Sequence, residues 1–544
     1  MDTSGVKRIS AVFYGIIVFL VLSYLVVLSV FPVNANDVFL YLEIGRRFFS
    51  HEGLPTTDVF RYTGVNAVFD SYHELGSMLV YYLAYVAGGF NALILVKSLL
   101  LLAMGIIPFW VAWKLDRQRH SFFLPVMLFF AIYGASWRFI ERGSLFSDLF
   151  STLLVSLIIL IRAKAGNVAM YRASIPLVFL AWVNIHAGHV IGFLILILWL
   201  LAELLQYLFG DEQDRSPRKT EIYSIAKTII GSVVLGLLNP RGVFTYSTLA
   251  RTILETRWSV ARATNPEFMS PFAKGFLEFL DMRVFIGVML ACCLLVIYAA
   301  IGQISKRAYR DLPIFEALCL CVFTCLGFIM VRFVLTASFG AVVIAAALLA
   351  NNKPRFLGDG DEARPFRLIF PAMAALSIAG CLFAVAAHGY GPPYGKRRIG
   401  LGINMAEKPV QACDFIDKTN LSVNIFNRYE YGGYMIWRWQ GKKQVFVHGF
   451  TADTDFIQQE YMGISRSPGN FTRIVSKNKI GAFLIEAPFQ GSSSMPEITH
   501  RLMTDSEWHL VYSDAVAVLF VKDVPENREI IEHYSSRTTG QRGH

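Results

Sequence analysis

The segment Asn34–Glu74 reads NANDVFLYLEIGRRFFSHEGLPTTDVFRYTGVNAVFDSYHE and separates two strongly apolar parts of the chain. A loop of roughly 40 residues is far longer than a connection between two membrane spans requires, and loops of that length are usually functional or disordered. Its many aromatic and aliphatic residues argue against disorder. We therefore expect a functional site in this loop, held at a membrane face by the rest of the chain.

The composition is that of an integral membrane protein. Of the 544 residues, 55% are hydrophobic and only 17% are charged, whereas soluble domains carry about 25% charged residues. The formal net charge of +10 does not indicate nucleic-acid binding. The basic residues lie mostly in short loops between apolar runs, where they orient a membrane protein.

Charges beside the apolar runs set the predicted orientation. Lys7 and Arg8 precede the first run, at about 11–32, which places the N-terminus in the cytoplasm and the 34–74 loop outside. That run is too long for a signal peptide, whose apolar region spans about 7–15 residues. Residues 75–88 are apolar but short, and Gly88-Gly89 breaks the run. We expect this stretch to lie in the membrane interface or to enter it halfway, and residues 91–113 to run inward.

Further apolar runs alternate with basic loops as far as residue 388. They predict spans at about 121–137, 145–161, 173–186, 190–209, 224–239, 284–302, 312–331, 333–351 and 368–388, about eleven in all. Residues 1–388 are thus predicted to form a polytopic α-helical membrane domain with long outer loops at 33–75 and 240–283. Short β-rich runs between helical stretches in 389–544 predict an extracytoplasmic α/β domain.

Acidic residues of the first outer loop are the main candidates for chemistry. Asp37 follows the first span closely, so it is placed to act as a general base or to bind a divalent ion beside a lipid phosphate. The alternative is that Asp37 caps the helix that follows. Asp58 follows Pro55-Thr-Thr and is either functional or a turn residue. His73 and Glu74 open the next helix and point to different sides of it, so we expect one to be functional and the other structural.

Basic residues usually lie in the cytoplasmic loops of a membrane protein. Arginines at predicted outer helix ends depart from this preference and require anionic partners. Arg138, Arg142 and Arg332 occupy such positions. A lipid phosphate or pyrophosphate suits the guanidinium fork, and a loop carboxylate is an equally good partner. His186 and His189 share one outer turn, where they either bind a metal ion together with the loop carboxylate or form hydrogen-bonded structure, as a histidine pair more often does.

No fingerprint of a soluble enzyme is present in the sequence. The chain lacks GxSxG, a P-loop, HExxH and a dinucleotide-binding glycine pattern, which argues against soluble nucleotide chemistry. We assign no metal ligand set. Mg²⁺ or Mn²⁺ is the cofactor candidate that the acidic loop suggests.

Several short motifs occur in the order in which a known group of membrane enzymes carries them. They are Asp37 with Gly45, Pro55–Phe60 (PTTDVF), His73-Glu74, Asn184–Gly188 (NIHAG), Asn239–Gly242 (NPRG) and Asn427–Tyr434 (NRYEYGGY). With the span layout, they resemble bacterial members of the GT-C superfamily of membrane glycosyltransferases over nearly the whole chain. Two positions depart from that pattern. Asn36 precedes Asp37, so the Asp-Glu pair of protein mannosyltransferase relatives is absent, and Leu75 follows His73-Glu74 where Trp is usual.

The resemblance implies an inverting transfer of a sugar from a polyprenyl-phosphate donor to an extracytoplasmic glycan, lipid or protein acceptor. It implies a bacterial inner membrane, with the tail domain in the periplasm. Asp37 would be the general base, and Asp58 and Glu74 are further catalytic candidates. The outer arginines would neutralise the leaving lipid phosphate. The implied substrate-binding residues are His73, Arg138, Arg142, His186, Arg241 and Arg332.

Two other functions fit the sequence. A transporter or flippase would need ionisable residues within its spans, and the main ones are Lys97, Glu203 and Glu316. A non-catalytic assembly protein, whose outer domain binds a partner, is the other alternative. The acidic residues of the first outer loop favour the enzyme.

Overall fold

The computed structural model describes residues 3–64, 67, 69, 74–116, 122–210, 212–246, 266–273, 275–351, 364–389, 398–451, 453–488 and 496–540. The chain forms two compact units. The first, called here the helical unit, comprises Met1–Pro32, Tyr72–Ser77 and Asn91–Leu401. The second, the mixed unit, comprises Val33–Ser71, Met78–Phe90 and Gly402–His544. The mixed unit therefore contains most of the 34–74 loop as well as the C-terminal tail.

The part of the chain before the tail is helical, as its apolar runs predict. Its helices are α1 (Thr3–Ser29), α2 (Asp37–Phe49), α3 (Leu75–Leu115), α4 (Phe123–Ala135), α5 (Ser144–Arg162), α6 (Val168–Ile185), α7 (His189–Phe209), α8 (Glu212–Gly236), α9 (Leu280–Ser305), α10 (Ile314–Ile329), α11 (Val334–Asn351) and α12 (Arg364–His388).

Among the residues that the structure describes, nine segments are long and apolar enough to cross a membrane. They correspond to α1, α3, α5, α6, α7, α9, α10, α11 and α12. This confirms the predicted polytopic helical fold. The other two predicted spans correspond to α4, which is a shorter apolar helix, and to α8, whose first half is charged.

Helix α11 lies at the centre of the helical unit. In its apolar window 89% of the residues are buried, against 17% in α12. Its sequence VLTASFGAVVIAAALLAN is made mostly of small residues, which let α4, α5, α9 and α10 pack closely around it. At Gly340 any side chain would collide with the ring of Phe323. The small residues of α11 therefore set how tightly this bundle packs.

The predicted break in α3 is present at Gly88-Gly89, where the backbone leaves the helical conformation. Gly89 has φ 63° and ψ −152°, a combination that is essentially restricted to glycine. Residues 78–90 belong to the mixed unit and those from Asn91 onward to the helical unit. The location of 75–88 in the membrane interface stays a prediction.

The tail has the α/β fold predicted for it. Its strands are β1 (Asn424–Asn427), β2 (Ile480–Glu486), β3 (Trp508–Ser513) and β4 (Ala517–Lys522), in the order β1-β2-β4-β3. Only the β1–β2 pair is parallel in this sheet. The accompanying helices are α13 (Val410–Lys418), α14 (Gly432–Arg438), α15 (Pro468–Lys477), α16 (Pro496–Thr504) and α17 (Arg528–Gly540).

Within the mixed unit, the 34–74 loop and the tail are built together. Val33 forms a parallel bridge with Ile403, and Arg61 forms one with Val445. Helix α14 packs on α2, and a Cβ at Gly433 would lie 2.6 Å from the Asn36 carbonyl oxygen. The glycine of the NRYEYGGY motif therefore permits the close approach that fixes the start of α2.

Candidate functional site

Asp37 is the first residue of α2, and the preceding Asn36 makes no side-chain capping bond. The Asn36 side chain instead accepts a hydrogen bond from Lys408 Nζ, which also donates to the Asn34 carbonyl at 3.1 Å. Val38 and the residues after it, through position 45, are buried, whereas Asp37 is partly exposed. The Asp37 carboxylate is thus an accessible group at the positive end of the helix dipole.

The Asp37 carboxylate lies against the backbone of a tail turn. A Cβ built at Gly449 would lie 2.5 Å from Asp37 Oδ1, which is closer than a real Cβ approaches an oxygen. Position 449 therefore has to be glycine if Asp37 keeps this place. In the sequence, His448-Gly449 stands out only as a strand end, and nothing local indicates that it meets residue 37.

Asp58 is buried within an ion-pair cluster of the mixed unit. Arg61 Nε lies 2.5 Å from Asp58 Oδ2, and His448 Nε2 lies 3.0 Å from Oδ1. The Phe450 amide donates to His448 Nδ1, so His448 carries its proton on Nε2 and donates to Asp58. Burial raises the pKa of Asp58, but His448 and Arg61 outweigh that effect and hold it below its usual range. The carboxylate is ionised and enclosed, and it joins the 34–74 loop to the tail.

Arg138 and Arg142 converge on one carboxylate in the helical unit. Arg138 Nη1 lies 2.9 Å from Glu267 Oε1, and Arg142 Nη1 hydrogen-bonds to the same oxygen. Arg138 ends the 3-10 turn after α4, Arg142 lies just before α5, and Glu267 sits in the turn Pro266–Phe268. Of the two partners that the sequence leaves open, the structure shows the internal carboxylate. The sequence did not identify Glu267 as this carboxylate, because Glu267 is far from both arginines along the chain.

Arg332 belongs to the same cluster. It lies in the turn Val331–Phe333 before α11, and its guanidinium stacks 4.8 Å from the ring centroid of Phe268. Burial raises the pKa of Glu267, but the charges of Arg138, Arg142 and Arg332 outweigh burial and lower it to about 2. Three cations therefore surround the ionised Glu267 carboxylate, and the carboxylates of Asp148 and Glu74 also lie within electrostatic reach of this cluster.

Glu74 and His186 meet at the start of α3. His186 Nε2 lies 3.3 Å from Glu74 Oε1, and His186 Nδ1 lies 2.7 Å from Ser147 Oγ. Nδ1 also accepts from the Gly188 amide, which places the ring proton on Nε2, toward Glu74. Trp182 Nε1 donates to Ser147 Oγ at 2.8 Å. Both ring nitrogens of His186 are engaged by the protein, and His73 lies outside the described residues.

Arg241 occupies a turn that Asn239 builds. The Asn239 side-chain oxygen accepts from the Arg241 amide at 2.8 Å and from Thr245 Oγ1 at 2.6 Å. Gly242 has φ 53°, so the NPRG motif needs its glycine for the turn. The middle of the 240–283 loop, residues 247–265, lies outside the described residues.

In the described part of the chain, no group of three or more His, Cys, Asp or Glu side chains is arranged to hold a metal ion. His186 is engaged as above, and His189 Nδ1 lies 3.3 Å from the His186 carbonyl oxygen. Each histidine of this turn therefore contacts another group of the protein. A divalent cation such as Mg²⁺ or Mn²⁺ stays a prediction.

No protein family model and no curated protein matches the sequence. The solved oligosaccharyltransferase of Archaeoglobus fulgidus, in complex with Zn and sulfate, is similar in structure: its TM-score is 0.52 at 12% identity, over 94% of this chain and 74% of that one. ArnT from Cupriavidus metallidurans bound to undecaprenyl phosphate gives a TM-score of 0.49 at 12% identity, over 97% and 99% of the two chains. Apo ArnT gives 0.38 at 12% identity, over 94% and 97%. The likeness to the oligosaccharyltransferase shows that this chain shares its overall fold, and it confirms the resemblance at the level of the fold.

Proposed function

We propose that this GT-C-fold chain is a membrane glycosyltransferase that moves a sugar from a polyprenyl-phosphate donor to a glycan, lipid or protein acceptor outside the cytoplasm. The observation that carries the proposal is the cluster of Arg138, Arg142 and Arg332 around the carboxylate of Glu267. Three guanidinium groups gathered beside the ends of apolar helices suit a lipid-linked phosphate. The fold shared with an oligosaccharyltransferase supports the reaction class.

The proposed reaction is a single displacement. The acceptor hydroxyl attacks the anomeric carbon of the donor sugar, and the bond from that carbon to the phosphate oxygen breaks. The hydroxyl proton passes to a general base, and polyprenyl phosphate leaves with the electron pair. Negative charge grows on the leaving phosphate, so cations that are already oriented stabilise the transition state more than the ground state. Arg138, only 3% exposed, acts with little competition from water.

Asp37 is the proposed general base. Its partial exposure supports contact with an acceptor, and its place at the N-terminus of α2 stabilises the anionic form that accepts a proton. The enclosure of Asp58 between Arg61 and His448 supports a structural role for that residue instead. Glu74 is the second candidate for the base, since His186 is oriented toward it.

The rival transporter function gains little support from the ionisable residues within the spans. Lys97 pairs with Glu141 at 2.6 Å. Glu203 accepts hydrogen bonds from Arg162 and Arg218. A transport pathway needs ionisable groups that face a substrate. Lys97 is fully enclosed with Glu141, whereas Glu203 and Glu316 line a cavity of about 680 Å³.

The test compares Arg142→Gln with Arg172→Gln, a matched control in the same unit whose guanidinium pairs with Glu221 at 2.8 Å. Each variant is reconstituted with polyprenyl-phosphate sugars labelled in the sugar, and sugar transfer to a membrane-extract acceptor is measured. We expect Arg142→Gln to lower kcat/KM about 100-fold, because one preformed cation at the leaving phosphate is lost. Equal activities of the two variants would contradict the proposal, and labelled lipid that crosses the bilayer uncleaved would indicate the transporter.

A further inference from the structure

A lysine–glutamate pair lies fully inside the helical unit. Lys97 Nζ, on α3, is 2.6 Å from Glu141 Oε1, and both side chains are 0% exposed. Lys97 Nζ also lies 3.4 Å from the centroid of the Phe31 ring. A buried ion pair seldom adds stability over a hydrophobic pair of similar volume, because removing both charges from water costs several kcal/mol. This pair therefore calls for a role other than stability.

The position of Glu141 suggests that role. It lies in the segment that carries both Arg138 and Arg142, three residues after the first and one before the second. A carboxylate this near to two guanidiniums along the chain is a ligand that they can bind. In the structure its Oε1 is held by Lys97. Its Oε2 is buried without a hydrogen-bond partner among the described residues, a cost that packing alone does not explain.

We propose that Lys97 is a positioning residue that sequesters the Glu141 carboxylate and so leaves the arginine cluster available to a lipid phosphate. The inference rests on the proposed function, since the phosphate is the ligand assigned there to the arginines. Lys97 acts through Glu141 and not on the substrate. Without the ammonium, the carboxylate is an uncompensated buried charge, and the nearest cations along the chain are the two arginines. It then competes with the incoming phosphate.

This role predicts a specific pattern of rescue. Lys97→Met leaves the Glu141 carboxylate to the arginines, and polyprenyl phosphate binds about ten-fold more weakly or worse. Glu141→Gln removes the competing charge, so binding stays within about twofold of wild type. The double variant Lys97→Met/Glu141→Gln also binds within about threefold, because no carboxylate remains to be sequestered. A merely structural pair would also recover in the double variant, but it predicts a loss for Glu141→Gln as well, because Lys97 is then the uncompensated buried charge.

The experiment measures the Kd of a polyprenyl phosphate for the full-length protein in lipid nanodiscs, a readout that needs no sugar transfer. The matched control is Lys114→Met, at the other end of α3, where Nζ lies 4.9 Å from the centroid of the Trp113 ring. If wild type binds polyprenyl phosphate and Lys97→Met binds it equally well, this inference alone is overturned. A wild type that binds no polyprenyl phosphate would overturn the proposed function and this inference together. If Lys97→Met does not fold, a ten-fold loss in the double variant would still refute the role.

Discussion

Gly449→Ala is the sharpest perturbation of the proposed base, because it changes neither the charge nor the identity of Asp37. The backbone of Gly449 does not have a positive φ, so alanine is compatible with its conformation. The added Cβ would lie 2.5 Å from Asp37 Oδ1, whereas an ordinary contact needs about 3.5 Å. The carboxylate or the turn therefore has to move by roughly 1 Å.

A displacement of that size has a large effect on a reaction that depends on orientation. A misplacement of about 1 Å costs on the order of 100-fold in rate, so we expect transfer by Gly449→Ala to fall about that much while donor binding is kept. The assay follows sugar transfer and polyprenyl phosphate binding in the same nanodisc sample. Gly469→Ala is the control, since a Cβ there meets nothing within 4 Å. Full activity of a folded Gly449→Ala would refute the placement of the base at this turn.

Two further predictions follow from charged clusters. The pKa of Asp58 is depressed in the folded protein. The stability that its carboxylate contributes is therefore complete above its pKa in the unfolded chain, about 3.9, and is lost as the pH falls through its pKa in the folded protein. Asp58→Asn should lower the free energy of unfolding by about 3 kcal/mol or more at pH 7. Thermal unfolding should show that the difference in stability from wild type shrinks below about pH 4. A difference in stability that does not change with pH would contradict the ion-pair assignment. Glu267→Gln should tighten polyprenyl phosphate binding about ten-fold, since the carboxylate that the arginines now hold is neutralised. The control is Glu278→Gln, which changes an exposed side chain of the same region and should leave polyprenyl phosphate binding unchanged. Weaker binding by Glu267→Gln would contradict the prediction and indicate that the carboxylate orients the arginines.

Local features of the sequence predicted much of the fold. Apolar runs and their flanking charges indicated the helices, and Gly88-Gly89 indicated the break in α3, because each depends on nearby residues only. The count of spans was harder to predict. Helix α8 joins a charged first half to an apolar second half, so its hydropathy alone does not settle whether it spans.

The partners of the candidate residues were not predictable. Asp58 and His448 are 390 positions apart, and no periodicity relates residues at such separation. The acidic loop, the arginines and the histidine turn were each recognised from residue type. Glu267 as the anion of the cluster and Gly449 beside Asp37 required the tertiary structure.

The central claim is tested most directly by following the donor lipid and the sugar together with wild type and Asp37→Asn. The polyprenyl-phosphate sugar carries separate labels on lipid and sugar, and both products are counted in one reaction. Wild type should release one polyprenyl phosphate for each sugar transferred. Asp37→Asn should bind the lipid as tightly but transfer at least about 100-fold more slowly, as loss of a general base predicts. Unchanged transfer by Asp37→Asn, or lipid binding without any transfer by wild type, would contradict the account.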